Sequence, residues 1–176
     1  AHADRLQHLW VEHPVVPEHF VVKLLRGNQG KGVMLLPGMG ALLSLLETFE
    51  AMSDQELMVT PLMQSEQELR CFWLGDSIIQ TLRRFPVRHG FKASFGKDAN
   101  AQCAVLAAEN IPPAALEVAT QLFKQLGLTY GTGDLLMCQG KPFVLEANGV
   151  PGLEQAELQG GQNIARLILT EILKCL

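Results

Sequence analysis

Three groups of residues in this 176-residue sequence have the types and spacing to do chemistry. Asp134, Glu146 and Asn148 are oxygen-bearing side chains set among Leu135, Leu136, Phe143, Val144 and Leu145. Carboxylates in such apolar company are costly unless something neutralises them, and a divalent cation is an economical partner. Magnesium takes a few hard oxygen ligands together with waters and substrate phosphates, which an Asp, Glu and Asn set can supply. The competing reading is that all three project into solvent from an edge face, the commoner fate of an acidic residue. Glu146 and Asn148 are two apart and share one strand face. A two-residue turn at Gln139-Gly140 would pair Asp134 with Leu145 and point it away from Glu146. A three-residue loop over 139–141, or a bulge, would bring the two acids together. The metal reading therefore predicts an odd-length turn.

The second group is Lys23 followed by Gly27-Asn28-Gln29-Gly30-Lys31-Gly32. Closely spaced glycines let backbone N–H groups turn toward an anion, and a nearby lysine adds a point charge, as in a phosphate clamp. No GK[ST] is present and a strand follows the glycines, so this is not a P-loop. A flexible hairpin with solubilising lysines explains the same residues equally well. The third group is Arg70, the pair Arg83 and Arg84, and Lys92, Ser94 and Lys97. Cations at strand ends beside a metal can cradle a transferring phosphoryl group, although charged strand ends are also ordinary surface.

The elements that must position these groups follow from hydrophobic period and punctuation. Ala3 to Glu12 predicts a helix with Leu6, Leu9 and Trp10 on one stripe, stopped by Pro14 and Pro17. His19 to Leu25 and Gly32 to Leu36 read as a hairpin. Met39 to Met52 reads as a helix with the stripe Leu42, Leu43, Leu46 and Phe49. A strand over Leu57 to Met63 carries Pro61, which confines it to an edge, an end or a bend. Leu69 to Leu74 and Ser77 to Phe85 flank the tight-turn pair Gly75-Asp76. Pro86 to Gln102 is a long polar stretch without a period. Pro112 to Leu126 predicts a helix with the stripe Ala115, Val118, Leu122 and Leu126, closed by Gly127. Tyr130 to Cys138 and Pro142 to Ala147 form the last hairpin, and Asn163 caps a terminal helix to Leu176. Hairpins with helices beside them make the fold class α+β, not a doubly wound parallel sheet.

Composition narrows the function classes. A formal net charge of -4 supplies no basic excess for nucleic acid. Cys71, Cys103, Cys138 and Cys175 show no CxxC spacing, which argues against zinc and thiol redox chemistry and fits a reducing, cytoplasmic setting. His2, His8, His13 and His19 lack a metal-binding spacing and read as solvated surface. No apolar run reaches membrane-spanning length and no signal peptide is evident, so a soluble, unprocessed protein with no membrane partner is expected.

The stretches VVKLLRGNQGKGVML (21–35), ELRCFWLGD (68–76) and GTGDLLMCQGKPFVLEANGVPGLE (131–154), in this order and with the terminal helix, resemble the ATP-grasp superfamily and its RimK-like branch of glutamate ligases. The resemblance runs from about Val21 to the C-terminus and is most specific in the last stretch. It implies an ATP-grasp fold, two α+β lobes with largely antiparallel sheets gripping ATP between them, here a small lobe over 1–58 and a large lobe over 59–176. It implies Lys23 on the phosphates and the glycine segment, with Gly27, Gln29, Gly30 and Gly32, closing over them. Thr60, Pro61, Leu62 and Met63 would be the adenine-receiving link, with Glu68 near the ribose and Arg70 among the nucleotide contacts. Asp134, Glu146 and Asn148 would hold Mg2+ or Mn2+, and Arg84 and Lys97 would serve the transferred phosphoryl group.

The implied reaction makes an acyl phosphate from a small-molecule or peptide carboxylate, which an amine then attacks. A nucleotide-binding module without turnover and a small-molecule kinase are the alternatives on the same fold. Thr60-Pro61 stands where the family usually has Gln-Glu, and Ser94 and Lys97 stand where it often has Asn and Arg. The family's N-terminal domain has no counterpart here. A fragment, or a reduced member completed by a partner or by homo-oligomerisation through exposed apolar surface, is therefore expected.

Overall fold

The computed structural model describes residues 16–25, 32–52, 56–84 and 103–174. The helix expected over Ala3 to Glu12, Gly27, Gln29 and Gly30 of the glycine segment, and the stretch Pro86 to Gln102 with Lys92, Ser94 and Lys97 lie outside them. The described residues divide into two compact units, the first ending at Met63 and the second beginning at Gln64.

The first unit contains β1 (His19–Leu24), β2 (Val33–Pro37), α1 (Gly38–Met52) and β3 (Leu57–Pro61). Its antiparallel sheet has the order β2-β1-β3. Alternation along β1 sends Phe20 and Val22 to one face, where they are buried with Leu42 and Leu46 of α1. Of the stripe expected on α1, Leu43 and Phe49 are only half-buried. The expected lobe boundary between residues 58 and 59 falls inside β3. Pairing of Val22 with Val59 and of Val21 with Thr60 holds that whole strand to β1, so the division comes after it, at Met63. The strand also ends at Pro61, two residues short of the expected Met63, because proline cannot donate to a ladder.

In the second unit, β4 (Gln67–Leu74), β5 (Ser77–Arg84), β6 (Cys103–Val105), β7 (Tyr130–Cys138) and β8 (Lys141–Asn148) form an antiparallel sheet in the order β6-β5-β4-β7-β8. Among the described residues this unit also has three α-helices, α2 (Pro113–Leu126), α3 (Glu154–Gly160) and α4 (Ile164–Lys174). β6 and α3 were not expected; three residues carry no period, and EQAELQG shows no apolar stripe. The Asn163 cap is present, its Oδ1 accepting the Arg166 N–H at 2.7 Å. Gly127 closes α2 in the left-handed region at φ 63°, and its N–H donates to the carbonyls of Phe123 and Lys124.

The core beneath this sheet is Leu69, Cys71 and Trp73 of β4 and Leu135 and Met137 of β7, packed on Ala115, Ala119 and Phe123 of α2. The expected stripe through Leu122 and Leu126 is therefore displaced by about one residue, and Leu126 is exposed. Glycines in β7 give the reason. A side chain at Gly133 would come within 3.1 Å of Leu122 and 3.3 Å of Phe123, so the bare backbone there is the groove that receives the ring. Phe123 also stacks on Trp73, with centroids 5.1 Å apart and planes 16° apart. Cys71 is sealed in this core, and burial pushes its thiol up to about 11.

Phe123→Ala is expected to lower unfolding free energy by about 3–5 kcal/mol, read by urea denaturation, because it empties the glycine groove. Cys71 adds a pH signature. Its pKa rises from 9.0 to about 11 on folding, so its contribution is complete below pH 9 and fades as pH climbs toward 11. The alkaline loss of stability is expected to be smaller in Cys71→Ala, measured from pH 8 to 11.

Candidate active site

Alternation decides which side chains leave the core. With Leu69, Cys71 and Trp73 turned toward α2, Glu68, Arg70 and Phe72 project from the opposite face of the sheet. In β7, Leu135 and Met137 turn toward α2, so Thr132, Asp134 and Leu136 share the face of Arg70. Register then aligns the charges: Arg70 lies opposite Asp134, Glu68 opposite Arg84, and Asp134 opposite Glu146.

Two irregularities create this alignment. The β7–β8 turn has two residues, with Gln139 at φ 51° and Gly140 at φ 73°, a pair of left-handed positions typical of a tight hairpin. The odd-length turn expected from the metal reading is thus corrected. A bulge at Leu145 shifts the register between Asp134 and Leu135 and brings Glu146 across from Asp134 all the same. A second bulge, at Ile79 of β5, shifts the pairing between Phe72 and Trp73 and sets Arg84 across from Glu68.

The side chains form a connected row. Arg70 Nε donates to Asp134 Oδ1 at 2.7 Å and its Nη2 to Oδ2 at 2.6 Å, a two-pronged ion pair. Arg84 Nη1 donates to the same Oδ2 at 3.0 Å and also to Glu68. Glu146 Oε1 lies 3.9 Å from Arg70 Nη2. Asp134 and Arg84 are buried, whereas Glu146 is 61% exposed. Burial raises the Glu68 carboxyl even though Arg84 pulls it down. Burial likewise lowers Arg84, and Arg70 adds repulsion. For Arg70 burial acts in the same direction, but the hydrogen bonds and charge of Asp134 outweigh it and the pKa rises. Both guanidiniums remain charged at neutral pH.

These residues fit a hard divalent cation. Two carboxylates face each other with a positive guanidinium between them, the charge arrangement that a bridging cation would satisfy. Among the described residues no three His, Cys, Asp and Glu side chains converge, and the amide of Asn148 offers an oxygen of another kind beside the two carboxylates. Asn148 is two residues from Glu146 on the same strand face, and its Oδ1 accepts the Val150 N–H at 2.9 Å. Thr132, opposite Asn148, was missed from sequence. Its buried Oγ1 has no hydrogen-bond partner among the described residues, and a bound ligand or water would satisfy it.

The first unit carries the other expected contacts. Lys23 faces away from α1, between Val33 and Met58. Gly32 sits at φ 76°, and its carbonyl accepts the Leu24 N–H. In the link, Thr60 Oγ1 donates to the Val21 carbonyl at 3.5 Å. Pro61 has no N–H, that of Leu62 donates to the His19 carbonyl at 2.9 Å, and Thr60 is paired with Val21 in the ladder.

A family model described as the RimK-like ATP-grasp domain matches residues 4–172. A probable alpha-L-glutamate ligase of Xylella fastidiosa (strain M12) is 32% identical over 157 residues, covering 89% of this chain and 50% of that protein. One from Pseudoalteromonas translucida is 31% identical, covering 88% and 50%. The chain thus spans about half the length of the curated relatives it matches. Among solved structures, the ATP-grasp ligase PsnB complexed with minimal precursor superposes with a TM-score of 0.70 at 16% identity, over 99% of this chain and 52% of that one. The D-alanine–D-alanine ligase of Bacillus anthracis gives 0.63 at 20% identity, over 98% and 58%. At these identities the likeness establishes the ATP-grasp fold.

Arg84→Met is expected to cost about 3–5 kcal/mol, because it removes the guanidinium hydrogen-bonded to the largely buried Glu68. Adding Glu68→Gln removes the stranded charge and is expected to restore most of that loss in the same denaturation assay.

Proposed function

The chain belongs to the RimK-like ATP-grasp family, and on that premise we propose that it is the nucleotide- and metal-binding part of a carboxylate–amine ligase. The observation that carries the proposal is the row Glu68–Arg84–Asp134–Arg70–Glu146 on one sheet face. A protein has little structural reason to bury an acid between two arginines, since a hydrophobic replacement is often as stable. Guanidiniums are the groups that hold phosphates, and carboxylates are the groups that hold the divalent cation accompanying them.

In this reading a carboxylate oxygen of the acid substrate attacks the γ-phosphorus of ATP, ADP leaves, and an acyl phosphate forms. The amine then attacks the acyl carbon; inorganic phosphate departs and the amine loses a proton. Little covalent chemistry falls to the protein, so its task is positioning and charge. Arg84, fixed by Glu68, presents a preorganised cation to the transferred group, and Arg70 presents a second. Lys23 supplies a point charge for the phosphates. Asp134, Glu146 and Asn148 would hold magnesium, which when bound neutralises phosphate charge. Thr60 to Met63 would receive adenine, with the Leu62 N–H already engaged, so recognition there relies on other groups of the link. Glutamate is the first amine to test, given the names of the curated relatives. Exposed Leu169, Ile172 and Leu173 at the i, i+3, i+4 spacing on α4 support cover by further protein surface, from another domain or a second copy.

ATP with Mg2+ is expected to raise the melting temperature, and ATP without metal to raise it much less. Because Glu146 is exposed, Glu146→Ala is expected to change the ligand-free stability by no more than about 0.5 kcal/mol, while abolishing the magnesium-dependent rise in melting temperature. Phosphate release that needs both an acid and an amine marks the ligase. Transfer to a hydroxyl marks a kinase, and binding without turnover marks a non-catalytic module.

A further inference from the structure

We propose that Arg70 occupies the cation position between Asp134 and Glu146 and must leave it before a divalent cation can enter, which makes metal binding conditional on nucleotide. This inference rests on the metal and nucleotide reading above. Both oxygens of Asp134 are engaged by the Arg70 fork, at 2.7 and 2.6 Å, and Nη2 of the same guanidinium lies 3.9 Å from Glu146 Oε1. One positive group thus lies against one acid and near the other, where a bridging cation would lie.

Charge bookkeeping points the same way. Among the described residues, three carboxylates, Glu68, Asp134 and Glu146, share the row with two guanidiniums, Arg70 and Arg84. A dication in place of Arg70 would, with Arg84, balance the three acids; a dication added beside Arg70 would leave the row positive and place like charges at close range. A cation arriving alone therefore competes with an intramolecular ligand that is always charged. Arg70 needs another anion if it is to move away, and a polyphosphate offers pairs of charged oxygens that the planar guanidinium fork can grip with two parallel N–H donors. Arg84 is not released in the same way, because Glu68 holds it independently of Asp134. Nucleotide phosphates would thus draw off Arg70, expose Asp134 and admit the metal. By linkage, metal would tighten nucleotide by the same factor.

The test uses Mn2+ as the probe, with free ion counted by electron paramagnetic resonance in titrations of the protein with and without ADP. Wild type is expected to bind Mn2+ weakly alone and at least tenfold more tightly with ADP. In Arg70→Met, Mn2+ alone is expected to bind at least tenfold more tightly than to wild type, and the gain from ADP to shrink. Arg70→Lys keeps the charge but loses the fork, so an intermediate gain is expected; it serves should the methionine variant not fold. Mn2+ binding to wild type with ADP, but no gain in either variant without nucleotide, would overturn this inference alone. No Mn2+ binding to wild type even with ADP would overturn the metal reading and this inference together.

Discussion

An ionised carboxylate held inside a sheet has to be neutralised where it stands, and that requirement at Asp134 organises the second unit. Its two oxygens are matched by Arg70 from the neighbouring strand and Arg84 from the strand beyond, and Arg84 in turn needs Glu68. Four buried or nearly buried charges on three adjacent strands are mutually compatible in one register only. A slip of one residue in any of these strands would turn a charged side chain into the α2 core. The hydrophobic core and the charged row are therefore not independent: the same alternation that sends Leu69, Cys71 and Leu135 to Phe123 sends Glu68, Arg70 and Asp134 away from it.

The positions of the bulges follow from this coupling. Tight turns at Gly75-Asp76 and Gln139-Gly140 start each hairpin in a register that would put Arg83 across from Glu68 and Leu145 across from Asp134. One extra residue in β5 and one in β8 correct both errors. The turns can thus be short and locally favourable, while the chemistry sits in the phase that the ion pairs demand. Gly131 belongs to the same device. A side chain there would lie 2.9 Å from the Asn148 carbonyl, so a bare backbone lets the end of β8 approach β7.

Much of this was legible in the residues. The hairpins, the two long helices, the Asn163 cap and the oxygen-bearing trio follow from period, punctuation and the oddity of acids among leucines. The displaced stripe of α2 was not, because Leu122 and Phe123 are both apolar and only the glycines of the facing strand choose between them. The bulges were not, because neither Ile79 nor Leu145 differs in type from an ordinary strand residue. The pairing of Glu68 with Arg84 instead of Arg83 depends on one of those bulges, and so was hidden as well. Nor does the residue pattern show where β3 ends its hold on β1: the pairing runs to Pro61, past residue 58.

The bulge at Leu145 has a second consequence, for the behaviour of the protein in concentrated solution. β8 is the outer strand of its sheet, and it exposes Phe143 and Val144, a combination that invites another chain to add a strand. A regular strand arriving at that edge would match β8 on one side of Leu145 and fall out of phase on the other. Lys141 and Pro142 shorten the usable stretch further, since proline offers no donor. The residue that brings Glu146 into line thus also makes this margin a poor template for aggregation.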